Sequence, residues 1–306
     1  MDFLVSNSGA GQKIVKYLLK NSDGTKVFLF KLFRKGLITV NGLKADQAQA
    51  LREGDVIASP QLTRPAPRRK FPGVSRKISV VFENENLIVV DKDNATVVHA
   101  GESDYRGSLL EMVKAYLHGK NEPYDAVVPV HRIDRNTKGV VIFAKNSAFG
   151  KKLHALFKYG LVDKTYQALL IGALEKTLFI EADVIVAGES RPVTVKNLKC
   201  SETVPDKKAW LENTYRNSTT LSATILKPLG RDDATSHTLA DITIWTGRHH
   251  QIRAVAAAAG FPVAGDKKYL GRKHVAASGM AGQELICKRI AIEELGLTFE
   301  SKYSLF

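Results

Sequence analysis

The chain has 306 residues, 44% of them hydrophobic and 25% charged, enough for one large apolar core and a second small one. Its formal net charge of +14 and pI near 9.6 suit a polyanionic partner, nucleic acid before an anionic membrane. Two cysteines without zinc-ligand spacing, no uncharged apolar run of bilayer length, and an opening Met-Asp-Phe-Leu-Val-Ser with no basic start argue against a disulfide scaffold, a membrane protein and a secreted one; a soluble, cytoplasmic chain is expected.

The charge is uneven. Residues 1–77 hold 15 Lys and Arg against 5 Asp and Glu, while the remaining 229 hold 30 against 26. Such asymmetry points to a basic N-terminal module. Residues 11–58 read as its compact body. Ile14, Tyr17 and Leu18 share a helix face, and a second helix runs from about Val27 to Lys35, with Gly36 as its stop. Phe28, Leu29, Leu32 and Phe33 form the buried stripe of that helix. Lys31, Arg34 and Lys35 fall on one exposed face, either to meet RNA or as a solvated surface. A strand at Leu37–Val40 leads into Asn41-Gly42, a hairpin signal, and Gly54-Asp55 turns into Val56-Ile57-Ala58. Residues 59–77 are rich in Pro and positive charge and read as an extended linker, with Arg68, Arg69 and Lys70 available to phosphates.

From Ile78 strands alternate with helices. Val80-Val81-Phe82 and Leu87–Val90 suggest a hairpin. The segment His131-Arg-Ile-Asp-Arg-Asn-Thr-Lys-Gly139 carries a lone acid, Asp134, between Arg132 and Arg135, ahead of the buried run Val140–Ala144. It reads either as a positioned carboxylate, its charged form favoured by flanking arginines, or as an ion-pair cluster in a surface turn. His131 is expected to fix this loop by hydrogen bonding. Ser147–Tyr159 is an amphipathic helix on Phe149, Leu153, Leu156 and Phe157, with His154 structural. Tyr166–Leu170 reads as a strand, and the polar residues 188–218 as loops or an insertion near a substrate rim. A helix begins near His249, with Ile252, Val255, Ala256 and Ala259 inward. Adjacent His249 and His250 hint at a metal, but no third ligand stands at suitable spacing, so no metal site is expected. No GxxxxGK[ST] or kinase glycine loop accompanies these segments, which argues against nucleotide hydrolysis and phosphoryl transfer.

Residues 131–139 resemble the HRLDxxTSG-type motif of the RluA family of RNA pseudouridine synthases, with Ile133 and Lys138 in place of Leu and Ser. Thr246-Gly-Arg-His-His-Gln-Ile-Arg253 resembles its TGRTHQIR segment, with His249 for Thr. Gly260-Phe-Pro-Val-Ala-Gly-Asp266 resembles GHPIVGD, and Lys164-Thr-Tyr166 resembles KxY. The KPaG element is degenerate here, as Lys92-Asp-Asn-Ala95, and carries little functional weight. The N-terminal "RKGLITVNG" and "LREGDVI" resemble the αL motif of a ribosomal protein.

The resemblance implies an α+β fold: a mixed, mostly antiparallel synthase sheet over 78–306, preceded by a small α/β RNA-binding module over 1–58. It implies isomerisation of uridine to pseudouridine in structured RNA, most of all large-subunit ribosomal RNA. Alternatives are a tRNA synthase or a non-catalytic ribosome-assembly factor on the same scaffold. It casts Asp134, Tyr166 and Arg253 as catalytic, with Arg253 paired to Asp134. Arg132 would fill the gap left by a flipped base, or anchor a phosphate only. Arg135, Arg248, Lys31, Arg34 and Lys35 complete the expected RNA contacts. No cofactor is implied, and a monomer is expected.

Overall fold

The computed structural model describes residues 2–22, 24, 26–62, 77–99, 107–186, 193–215, 218–232, 234–270, 280 and 282–305. Arg68, Arg69 and Lys70 lie outside them. The chain divides into two units, Met1–Pro72 and Gly73–Phe306, each with its own apolar cluster.

In the first unit, β1 (Asp2–Leu4), β2 (Thr39–Val40), β3 (Leu43–Lys44) and β4 (Val56–Ala58) form an antiparallel sheet in the order β1-β4-β2-β3. Helices α1 (Ile14–Asn21) and α2 (Lys26–Arg34) bury Ile14, Tyr17, Leu18, Leu29, Leu32 and Phe33. Lys31, Arg34 and Lys35 are exposed, as the helical spacing requires. Asn41 and Gly42 have φ of 51° and 80°. Positive φ at both central residues is what a tight β2–β3 hairpin needs. Strand β1 was not expected: it is three residues long and buries only Phe3.

The second unit is built on one long sheet, mixed and mostly antiparallel as expected. Its strands are β5 (Ser79–Glu83), β6 (Leu87–Lys92), β7 (Val128–Pro129), β8 (Lys138–Ala144), β9 (Asp163–Ile171), β10 (Leu178–Ile185), β11 (Thr194–Ser201), β12 (Leu221–Asp232), β13 (His237–Ile244), β14 (Leu285–Ile292) and β15 (Leu297–Glu300). The main path runs β11-β10-β12-β13-β9-β14-β8-β6-β5. Among the described residues only β14 and β8 pair in parallel, at Ile286–Lys138 and Cys287–Gly139. Helices α3 (Leu109–Gly119), α4 (Ser147–Lys158), α5 (Lys207–Trp210) and α6 (Gln251–Ala258) complete it.

Strand β8 is buried almost throughout, which explains its unbroken apolar run. Alternation along β9 sends Lys164, Tyr166, Ala168 and Leu170 inward. Helix α4 matches its expected span to one residue, and His154 contacts the Pro129 carbonyl at 3.2 Å. The expectation of irregular structure over 188–218 is corrected: β11, α5 and a π turn at Leu211–Tyr215 occupy most of its described part.

Candidate active site

Asp134 sits in the turn between β7 and β8, where the Thr137 amide donates to its carbonyl at 3.1 Å. Gln283 Nε2 donates to Thr137 Oγ1 at 2.6 Å, tying the turn to the segment before β14. Lys92 is fully buried, and its Nζ donates to the carbonyls of Asp93, Thr96 and Arg135 at 2.7, 2.9 and 2.8 Å. Three acceptors match the three donors of an ammonium. Burial pulls its pKa down to about 8, against the pull of Asp93 and Asp134. Lys92 thereby ties the end of β6 to the acid-bearing turn.

His131 stacks on Phe157 at 4.9 Å, and its Nε2 accepts from the Ile142 amide at 3.1 Å. It fixes the loop by hydrogen bonding, as expected. Burial drives its pKa down to about 3, so the ring is neutral at physiological pH.

The partner of the acid comes from 119 residues away. Arg253, in the first turn of α6, donates from Nη1 to Asp134 Oδ2 at 2.8 Å. Its Nε and Nη2 are held by the two oxygens of Asp266, at 2.6 and 2.9 Å. Asp266 is buried and also accepts from the amides of Lys268 and Tyr269. This fork-to-fork clamp orients the guanidinium so that Nη1 faces Asp134. Despite its burial, Asp266 has a lowered pKa, because Arg253 and the two amides favour its charged form. Arg132 and Arg135 do not hold the acid. Both side chains are exposed and make no hydrogen bond or ion pair among the described residues.

Helix α6 begins in a tight turn. Gln251 is buried, accepts from Thr246 Oγ1 and the Arg248 amide, and donates to the Ala223 carbonyl and Thr224 Oγ1. Arg248 donates to the carbonyls of Leu221 and Ser218 and lies over the Tyr215 ring. Its guanidinium therefore braces the rim. His250 precedes the helix with φ of 55°, in the left-handed region. Its Nδ1 lies 2.9 Å from the Tyr269 hydroxyl and its Nε2 lies 3.7 Å from Asp134 Oδ2.

A small cleft opens over these groups, lined by Arg132, Asp134, Tyr166, Arg248, His250 and Arg253. Tyr166 is buried opposite Cys287 across the β9–β14 ladder, and burial pushes its phenol well above the usual range. It enters the cleft as a neutral group. The fold also supplies the third group that sequence spacing lacked beside the paired histidines: ligand atoms of Asp134, His249 and His250 lie within 4.8 Å of one another. A cation there would compete with Arg253 for the same carboxylate, which disfavours a resident metal. Asp266, Lys92, His250 and Tyr269 were not singled out as site residues from sequence. Asp266 was in view at the end of the GFPVAGD segment, but its role depends on Arg253 lying against it.

The comparisons with known proteins agree. The family described as RNA pseudouridylate synthase matches residues 86–258. A ribosomal large subunit pseudouridine synthase C of Haemophilus influenzae is 29% identical over 280 residues, covering 87% of this chain and 77% of that protein. An uncharacterized RNA pseudouridine synthase of Mycoplasma pneumoniae is 30% identical over 280 residues, covering 87% and 80%. Among solved structures, human RNA pseudouridylate synthase domain containing 4 shares the fold, with a TM-score of 0.55 at 19% identity, covering 74% of this chain and 89% of that one. The family match defines an RNA-modifying isomerase, and the fold agrees. The chain belongs to the RNA pseudouridylate synthase family, in its RluA-type branch. It acts on RNA, converting uridine to pseudouridine.

Proposed function

We propose that this enzyme modifies uridine in large-subunit ribosomal RNA, with Asp134 as the reacting carboxylate. The ion pair of Asp134 with Arg253 at 2.8 Å, inside a cleft that also holds Tyr166, carries the reading. The substrate class rests on the relatives named for the ribosomal large subunit and on the basic N-terminal unit.

The reaction breaks the N1–C1′ bond and makes a C5–C1′ bond. The C5 proton leaves and N1 gains one, so no atom or electron is exchanged with a second substrate. A fixed carboxylate serves both leading routes, by covalent attack or by taking a sugar proton to give a glycal. Arg253 orients it. Tyr166 lies against the base and takes part in loss of the C5 proton. Arg132, exposed at the cleft mouth, fills the gap left when the uridine leaves its stack. Arg135 and, in the module over 1–58, Lys31, Arg34 and Lys35 contact phosphates. Arg248 acts through the rim it braces. The chemistry requires no metal or organic cofactor, and we take the protein to work as a cytoplasmic monomer.

Asp134→Asn keeps the shape and removes the charge. Pseudouridine formation, followed as tritium release from C5 in a single turnover, should vanish, while RNA affinity stays within about threefold because phosphates supply most of it. Substantial release by this variant would move the reaction to another acid. Mapping pseudouridine in cells lacking the protein identifies the RNA: sites lost from tRNA and not from ribosomal RNA would overturn the substrate class.

A further inference from the structure

Beside the carboxylate stands a chain of groups that the roles of Asp134, Tyr166 and Arg253 leave unused. The Val193 amide donates to the Tyr269 hydroxyl oxygen at 3.1 Å. That hydroxyl lies 2.9 Å from His250 Nδ1. The amide takes one lone pair of that oxygen and leaves the hydroxyl proton free to turn to the Nδ1 lone pair. In that tautomer the ring proton resides on Nε2, the nitrogen that faces Asp134 Oδ2 at 3.7 Å. Arg253 Nη1 donates to the same oxygen. Both donors converge on Oδ2, and Oδ1 makes no hydrogen bond among the described residues.

The backbone supports this arrangement. A non-glycine residue in the left-handed region persists only where its surroundings over-determine it, and such residues gather at functional sites. His250 is held there by the turn that Gln251 ties down from both sides. Burial also pulls the His250 pKa down to about 4, so the ring is neutral and its single proton has a defined place.

We propose that His250 is a positioning residue for Asp134, and Tyr269 for His250: the Nε2–H steers Oδ2 toward Arg253 so that Oδ1 meets the uridine. At 3.7 Å the contact is longer than a hydrogen bond, and substrate closes it to one. The inference rests on Asp134 being the reacting acid. Its own substitutions stand apart from that question. A dead Asp134→Asn with an unaltered His250→Ala would sink this inference alone.

The experiment is a set of variants read by single-turnover rate at saturating RNA and, separately, by RNA affinity. His250→Ala should slow turnover by roughly tenfold to a hundredfold, the cost of a misplaced reacting group, with affinity within about twofold. His250→Gln offers an amide N–H near the Nε2 position and should recover most of the rate. Tyr269→Phe should slow turnover by about tenfold in the native background. It should add almost nothing to His250→Gln, whose amide has no tautomer to fix. Weakened affinity with an intact rate would make His250 an RNA contact and overturn the proposal. So would a Gln variant as slow as Ala, or a Tyr269→Phe loss that is the same with and without His250.

Discussion

Arg132 and Asp134 are two positions apart and meet different fates, one exposed at the cleft mouth and the other half-buried against Arg253. The sequence marked both, because a lone acid between two arginines is unusual enough to notice. Local spacing favoured the flanking arginines and only the family resemblance pointed to Arg253, since that contact depends on how α6 is set against the turn. If Arg132 replaces a flipped base, Arg132→Ala should slow reaction on a paired stem by roughly tenfold or more and affect single-stranded RNA little, since a loose strand avoids most of the unstacking cost of a few kcal/mol. Equal losses on both RNAs would reduce it to a phosphate anchor. His131 yields a prediction of another kind. Its folded pKa, near 3, lies below the unfolded value of about 6.5. The unfolded chain therefore takes up a proton that the folded chain refuses. The resulting stability is complete above about pH 6.5 and is lost as pH falls toward 3. His131→Gln cannot titrate, so its Tm should fall less than that of the native protein between pH 7 and 4. Parallel curves for the two proteins would show that His131 is not the group responsible.

Elements with a one-sided apolar pattern were legible. Helix α4 and the β5–β6 hairpin fell where periodicity put them. Strand β11 was not, because it is a sheet edge, mostly exposed on both faces, and its residues carry no alternation to read. Helix α6 starts two residues later than expected because His250 adopts a left-handed backbone that no side-chain pattern announces. A close approach of two strands is likewise invisible in sequence. Gly139 has φ of 112°, and a Cβ there would lie 2.2 Å from the Cys287 carbonyl oxygen. Only glycine lets β8 approach β14 this closely, at their parallel pairing. Cys287 in turn pairs with Tyr166 across β9, so the same junction sets the tyrosine beside the turn of Asp134. Gly139→Ala should cost about 3 kcal/mol or more in stability, through backbone strain and a clash that cannot relax without moving a strand. Thermal or urea unfolding measures it, and a variant within about 1 kcal/mol of the native protein would show that the junction yields.

At the scale of the whole molecule, the charge bias and the two separate cores make one argument. The first unit buries Phe3, Ile14, Leu18, Leu29, Leu32 and Ile57 among its own residues, and the second closes its sheet on a cluster that includes none of them. A core of its own is what independent folding requires, so residues 73–306 should fold alone and unfold in a single cooperative transition. The surplus positive charge lies mostly in the part that this truncation removes. Each phosphate neutralised on duplex RNA contributes roughly 0.9 to the slope of log affinity against log salt, by the rule for double-stranded nucleic acid. If Lys31, Arg34 and Lys35 each meet one phosphate, replacing all three with Ala should lower the magnitude of that slope by about 2 to 3. Removing residues 1–72 should lower it at least as much, because the same three contacts go with them. Turnover on a short stem-loop saturating the enzyme should then survive in the truncated protein, since Asp134, Tyr166, Arg253 and Asp266 all belong to the second unit. An unchanged slope in the triple variant would remove the exposed face of α2 from the RNA interface. A truncated protein that folds but has no turnover on saturating stem-loop would mean that the first unit serves the chemistry and not only the grip on RNA.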